Sequence, residues 1–259
     1  MIASFTRKAL LGALAALACS QGAAAAPAFT PENRVFFTSV SVQAVVPIVG
    51  GFRMYLTSGP YHVISATCTD QVSWGFEPGV RLSTSALSND VSSITHVTVV
   101  PSTDSSASWR MYYVGIDATG RYRVLSATSA NGLTWGKEGG TRVVNNAGSG
   151  FIGSLSGFSA SATERRLYYV ADQDGLNVPS RYAIHTATSG DGGLNFGLGT
   201  LTLATVNAYA VSATTMTGGK TRLYYTSPLT GSTTASQVLS ATAADGLTLV
   251  RDAESGRVN

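Results

Sequence analysis

The segment RVLSATSANGLTW (residues 123–135) returns as QVLSATAADGLTL (residues 237–249) with nearly every apolar, small and turn position kept. Looser copies stand at HVISATCTDQVSW (62–74) and AIHTATSGDGGLNF (183–196), so the phrase is written four times. Repetition at a fixed interval marks one supersecondary unit that cannot bury its own apolar face and stacks on neighbours that can. A second phrase gives the period. FRMYL around Arg53, WRMYYV around Arg110, RRLYYV around Arg166 and TRLYYT around Arg222 are spaced by 57, 56 and 56 residues.

Each Arg-Tyr phrase is preceded by a β-branched or small-residue run (42–49, 94–100, 153–160, 206–213) and followed by a loop and the Ser-Ala-Thr phrase. A turn and a short strand, such as GVRL (79–82) or TRVV (141–144), complete the unit. One unit therefore reads as four antiparallel strands. The second strand is apolar on both faces, with Trp109, Met111 and Tyr113 on one side and Tyr112 and Val114 on the other. A sheet covered on both faces fits blades stacked around an axis, which is how β-propellers protect their strand edges. No helical period of 3.6 appears beyond the N-terminus, so the expectation is an all-β propeller with four blades of four antiparallel strands. Five blades is the alternative. RVFFT (34–38) resembles a fourth strand able to close the ring on the last blade, while GRVN at the C-terminus claims the same place.

The chain begins with Arg7 and Lys8, an Ala/Leu run over 9–18 and the small-residue stretch GAAAAPA. That order is a secretory signal, expected to be cut after Ala25, and its apolar core is shorter than the roughly 20 residues that span a bilayer. The reading is a signal over 1–25 and one propeller domain over 26–259, exported to the periplasm or secreted and not inserted in a membrane. Lipidation at Cys19, in ALAC, is the rival, although Leu17 stands where a small residue is usual. Without the signal, fifteen basic residues face fourteen acidic ones, which gives no electrostatic case for nucleic acid. Charged residues make up 12% of the chain, about half the usual quarter. Cys68 is left as the single thiol, so no internal disulfide is expected.

The pairs Asn131-Gly132, Asp191-Gly192 and Asp245-Gly246 sit where a turn follows the Ser-Ala-Thr strand, and Asp70 holds the same place in the first unit. Asp and Asn accept bonds from downstream amides, and Gly tolerates positive φ, so all four are read as structural turns. SATSANGLTW, TATSGDGGLNF and SATAADGLTL resemble the Asp-box repeats of sialidase-like propellers. Together with RMYYV they resemble still more the repeats of five-bladed glycosidases such as glycoside hydrolase family forty-three. The resemblance covers almost the whole chain after the signal, and it implies catalysis at the end of the propeller opposite the Asp and Asn turns.

Glycoside hydrolysis needs two carboxyl groups flanking the bond. The resemblance would place them on the innermost strands or their approaches, yet the four first strands contain no Asp or Glu, and Gln43 is the nearest polar candidate. Acids remain on the loops of the opposite face: Asp90, Asp117, Asp172 and Asp174. The pair Asp172 and Asp174 has the look of a cation loop or of an ordinary polar turn. His96 lies within a first strand and is the candidate to face the axis, while His62 and His185 read as structural. The four repeated arginines read as blade packing rather than as a sialidase-like carboxylate clamp. No cluster has metal-ligand spacing and no cofactor is expected. The ligand-binding candidates are thus Asp90, His96, Asp117, Asp172 and Asp174, with no catalytic residue assigned. The expected function is binding of a glycan or an envelope protein without catalysis. A glycosidase with loop-borne acids and a purely structural interaction module are the alternatives.

Overall fold

The computed structural model describes residues 37–70, 72–86, 91–100, 109–144, 150–172, 178, 181–204, 207–229 and 235–252. The signal over 1–25, Cys19, residues 34–36 of RVFFT and the C-terminal GRVN lie outside them. No helix among the described residues is long and apolar enough to cross a membrane.

Four antiparallel sheets stand in a ring, each with the strand order the repeat predicts. Blade 1 holds β1 (Val40–Ile48), β2 (Gly51–Ser58), β3 (His62–Cys68), β4 (Gly75–Phe76) and β5 (Leu82–Ser83). Blade 2 holds β6 (Ser93–Val100), β7 (Trp109–Ile116), β8 (Tyr122–Ser129), β9 (Gly136–Lys137) and β10 (Val143–Val144). Blade 3 is β11 (Ile152–Ser159), β12 (Arg165–Asp172), β13 (Tyr182–Ser189) and β14 (Thr200–Leu203). Blade 4 is β15 (Ala210–Thr215), β16 (Thr221–Pro228), β17 (Ser236–Ala243) and β18 (Val250–Arg251). The propeller has four blades, and no fifth sheet is present among the described residues.

Two details differ from the sequence reading. The outer strand of blades 1 and 2 is broken in two, because Gly79 (φ 88) and Gly140 (φ 82) turn the chain where Arg81 and Arg142 fold back onto the carbonyls of Pro78 and Gly139. The inner strand of blade 4 begins at Ala210 instead of 206, since Asn207 is left-handed (φ 49) and interrupts the extended backbone.

The buried side chains form three apolar clusters, one at each joint between consecutive blades. Tyr55 and Val63 of blade 1 meet Val97, Met111 and Tyr113 of blade 2. Tyr112, Val114 and Val124 meet Leu155, Leu167 and Tyr169 of blade 3. Tyr168, Val170 and Ile184 meet Leu223, Tyr225 and Leu239 of blade 4. Each joint is fastened by the repeated Arg and Tyr. Tyr55 Oη donates to the Gly132 carbonyl at 2.8 Å, Tyr112 to Gly193 at 3.1 Å, and Tyr168 to Gly246. The preceding arginines donate to the carbonyls of Asn131, Gly192 and Asp245. Burial pushes the Tyr55 and Tyr112 hydroxyls up to about 12, so they remain donors across the physiological range.

The receiving turn must admit a ring and a guanidinium, and that is what its glycine provides. Gly193 has φ 98, and a Cβ there would overlap Tyr112 Oη and the Arg165 side chain. The turns are shaped by their Asp or Asn. Oδ1 of Asp70 accepts from the amides of Val72 and Ser73 at 2.9 and 2.6 Å, Asn131 from Leu133 and Thr134, Asp191 from Leu194 and Asn195, and Asp245 from Leu247 and Thr248.

Replacing Gly193 by Ala should destabilise the fold by roughly 2–4 kcal/mol, combining a strained φ with overpacking at a joint. Urea denaturation measures this, and a midpoint equal to that of the parent would contradict the joint described. A second expectation concerns acid. Backbone amides, Thr248 and Ser73 first, hold the Asp245 and Asp70 carboxyls down at about 2. A carboxyl depressed in the folded state contributes stability that is complete above its unfolded value, about 4, and is lost as pH falls towards the folded one. Asn131 makes the same bonds without titrating. Asp245→Asn should therefore lose less stability between about pH 5 and about pH 2 than the parent does, read from urea midpoints at the two pH values.

Candidate functional site at the propeller axis

The inner strands β1, β6, β11 and β15 enclose an axial cavity of about 630 Å³. Among the described residues its wall carries no Asp, Glu, Lys or Arg. The polar groups there are Gln43, His96, Thr98, Ser154, Ser156, Tyr209 and Ser212.

Most of these side chains tie one inner strand to the next. β1 bulges between Val42 and Ala44, which sends Gln43 sideways. Its Nε2 donates to Thr57 Oγ1 at 3.1 Å and its Oε1 accepts from the Val97 amide of blade 2 at 3.1 Å. Thr98 Oγ1 accepts from the Gly157 amide of blade 3 at 3.1 Å. Ser154 and Ser156 accept from the amides of Val211 and Ala213 in blade 4 at 3.1 and 2.9 Å. Adjacent inner strands do not form a ladder, so these amides would otherwise face the axis unpaired, at a cost of about 1–3 kcal/mol each. A short polar side chain at each such position removes that cost.

His96 and Tyr209 are not used in this way. His96 Nδ1 is buried with no hydrogen-bond partner, and burial lowers the pKa of the ring, which favours the neutral form. A neutral imidazole offers one donor and one acceptor. Tyr209, just before β15, is 45% exposed. The wall therefore combines a tyrosine ring, an imidazole and a set of hydroxyls.

The remaining candidates from the sequence lie elsewhere. Asp117 closes the loop between β7 and β8. Its Oδ1 accepts from the hydroxyl and amide of Thr119 at 2.6 and 2.9 Å and from the Arg121 amide at 3.0 Å, and Arg123 approaches Oδ2 at 3.4 Å. The Thr119 hydroxyl foremost holds its carboxyl below the usual range. Asp172 is fully buried at the end of β12, in register with Tyr182. Neither reaches the cavity wall. Asp90 and Asp174 lie outside the described residues. The four turn residues Asp70, Asn131, Asp191 and Asp245 lie beyond the far ends of the third strands, away from the cavity wall.

His185 stacks on Tyr169 at 5.6 Å and leaves Nε2 buried without a partner. Cys68 is a buried free thiol, and no group of three or more His, Cys, Asp or Glu side chains among the described residues is placed to hold a metal. The sequence reading passed over Thr98, Ser154, Ser156, Tyr209 and Ser212. Their signal was present as hydroxyl side chains on the strands nearest the axis, where attention to missing acids left the hydroxyls unremarked.

No protein-family model matches the sequence, and no curated protein matches it in sequence. Solved structures share the fold. The chain superposes on a thermostable family-43 glycoside hydrolase with a TM-score of 0.63 at 14% identity, covering 83% of this chain and 73% of that one. An endo-arabinase from Bacteroides thetaiotaomicron gives 0.66 at 10% identity, covering 84% and 80%. A GH32 β-fructofuranosidase of Bombyx mori gives 0.60 at 12% identity, covering 82% of this chain and 49% of that one, so the chain spans about half its length. The fold is thus that of glycosidase propellers, with four blades in this chain.

Gln43→Ala should leave the Val97 amide unpaired and lower stability by about 1–3 kcal/mol, measured by urea denaturation. Gln43→Glu should lower it as well, because it places a carboxylate where no described residue of the wall offers a counter-charge.

Proposed function

We propose that the chain is an exported propeller that binds a glycan in its axial cavity and does not cleave it. The observation that carries this reading is the cavity wall itself: among the described residues it presents hydroxyls, an amide, the His96 imidazole and an exposed tyrosine ring, and no carboxyl group. Sugars are recognised by such a mixture, since a pyranose or furanose offers an apolar face for an aromatic ring and an edge of hydroxyls for polar groups. Hydrolysis would require two carboxyls on either side of the scissile bond. The likeness to glycosidase propellers supports a ligand of the same broad class. A glycan is favoured over an envelope protein because the tyrosine ring and polar side chains lie in a cavity enclosed by four strands, which suits a small ligand.

The test uses residues 26–259 on a glycan array, followed by calorimetry on the sugars retained. Binding should weaken by about tenfold or more in Tyr209→Ala and in His96→Ala, with melting temperatures close to the parent. Aryl arabinosides, xylosides, galactosides and sialosides should release no aglycone. Loss of a general acid or base commonly costs two to four powers of ten. Turnover that Asp117→Asn or Asp172→Asn abolishes without unfolding the protein would replace binding by loop-borne catalysis.

A further inference from the structure

Two of the three histidines of the chain stand at one joint of the ring. Residues directly opposite each other in a sheet point to the same face. His185 of β13 is in register with Tyr169, and His96 of β6 with Val114. Tyr169 and Val114 both belong to the apolar cluster between blades 2 and 3, so the two rings flank that joint, His96 on an innermost strand and His185 on a third strand. Each keeps a buried nitrogen without a hydrogen-bond partner, Nδ1 of His96 and Nε2 of His185.

The same places in the other joints do not titrate. Leu125 and Leu239, opposite Tyr113 and Tyr225, hold the position of His185 and pack into the clusters between blades 1 and 2 and between blades 3 and 4. Ser41 and Ser154 hold the position of His96: they precede Val42 and Leu155, which stand opposite Leu56 and Tyr169, as His96 precedes Val97 opposite Tyr113. Ser154 Oγ accepts from the Val211 amide of blade 4 at 3.1 Å, whereas His96 Nδ1 reaches no partner.

An imidazolium carries a charge and two N–H donors, and a buried one needs acceptors or a counter-ion. Among the described residues no carboxylate serves either ring. Tyr112, Tyr122 and Tyr169 stand in or against the cluster, and burial pushes Tyr112 and Tyr169 up to about 12. Arg110, Arg142 and Arg165 donate to carbonyls at the turn end of the joint, and Glu138 is paired with Arg110. Tyr209 is the other titratable group on the described cavity wall. Burial, with no charged neighbour acting, lowers the pKa of both rings.

We propose that the joint between blades 2 and 3 is an acid-operated switch, closed while His96 and His185 are neutral and released when they take up protons, so that β6 and β11 part on that side of the axial cavity. A ring whose folded pKa lies below its unfolded value, about 6.5, favours the closed joint fully above that value and progressively less as pH falls below it. A ring that stays neutral in the closed joint and titrates ordinarily in the open one raises the opening equilibrium about tenfold between about pH 7.5 and about pH 5.5, and two such rings about a hundredfold. The carboxyls of Asp70 and Asp245, held at about 2, act well below this window.

Hydrogen exchange at the two pH values, expressed as protection relative to free peptide, tests this. Segments from β6, β11 and β13 should lose protection by about a hundredfold at the lower pH, while β2 and β17 keep theirs. His185→Leu, which copies Leu125 and Leu239, and His96→Ser, which copies Ser154, should each remove about tenfold of the effect, and the double variant should remove all of it. NMR titration of the imidazoles in the unsubstituted protein decides the matter if a variant fails to fold: both rings should titrate below the ordinary histidine value of about 6.5. Unchanged protection, equal loss at all three joints, a double variant that keeps the parent's pH dependence, or rings that titrate at the ordinary value each overturn the proposal.

Discussion

Everything in this molecule depends on a tyrosine and an arginine reaching out of one sheet into the turn of the next. The hydroxyl of Tyr112 and the guanidinium of Arg110 end on the carbonyls of Gly193 and Gly192, and the ring between them is sealed by Phe196, edge-on at 5.6 Å. Tyr55 and Trp135 repeat the arrangement at 5.9 Å. Behind the joint, Glu77 and Glu138 clamp the arginines through paired bonds of 2.8–2.9 Å and themselves accept from Ser65 and Ser126 at 2.6 Å. Burial alone would raise the Glu77 carboxyl, but the bonds from Arg53 and Ser65 outweigh it and hold the group below its ordinary value. Charged residues are few in this chain, and Arg53, Glu77, Arg110 and Glu138 are committed to these joints.

The same economy shapes the axis. Four inner strands pointing at a common centre cannot pair as a sheet, so their amides need side-chain acceptors, and Gln43, Thr98, Ser154 and Ser156 are those acceptors. An acid at any of these positions would titrate inside a wall without a counter-charge. The neutral lining thus serves the seams as well as giving the cavity its chemical character, and the lining groups not spent on the seams include His96 and Tyr209.

Much of the fold was legible because the repeat is loud. Four Arg-Tyr phrases at near-constant spacing pointed to four blades, with five left open, and to the strand order, while the Asp and Asn residues marked the turns. What escaped the sequence was relational. The 57-residue separation that sets Ser154 beside Val211 is one repeat, yet nothing in either residue alone announces a bond between inner strands. The broken outer strands follow from Arg81 and Arg142 turning back to the chain, a contact with no signature in periodicity. Asp117 and Asp172 drew attention as acids on loops, and the first is spent on its own turn.

Among the described residues, three seams of the ring carry an apolar cluster and a tyrosine-to-turn bond, and the seam between blades 4 and 1 carries neither. The strands on either side of it, β15 and β1, both line the cavity. That flank of the cavity is therefore bounded by single strands facing each other, not by a packed joint, and the residues on it, Val42, Val45 and Tyr209, keep surface that the other inner strands bury.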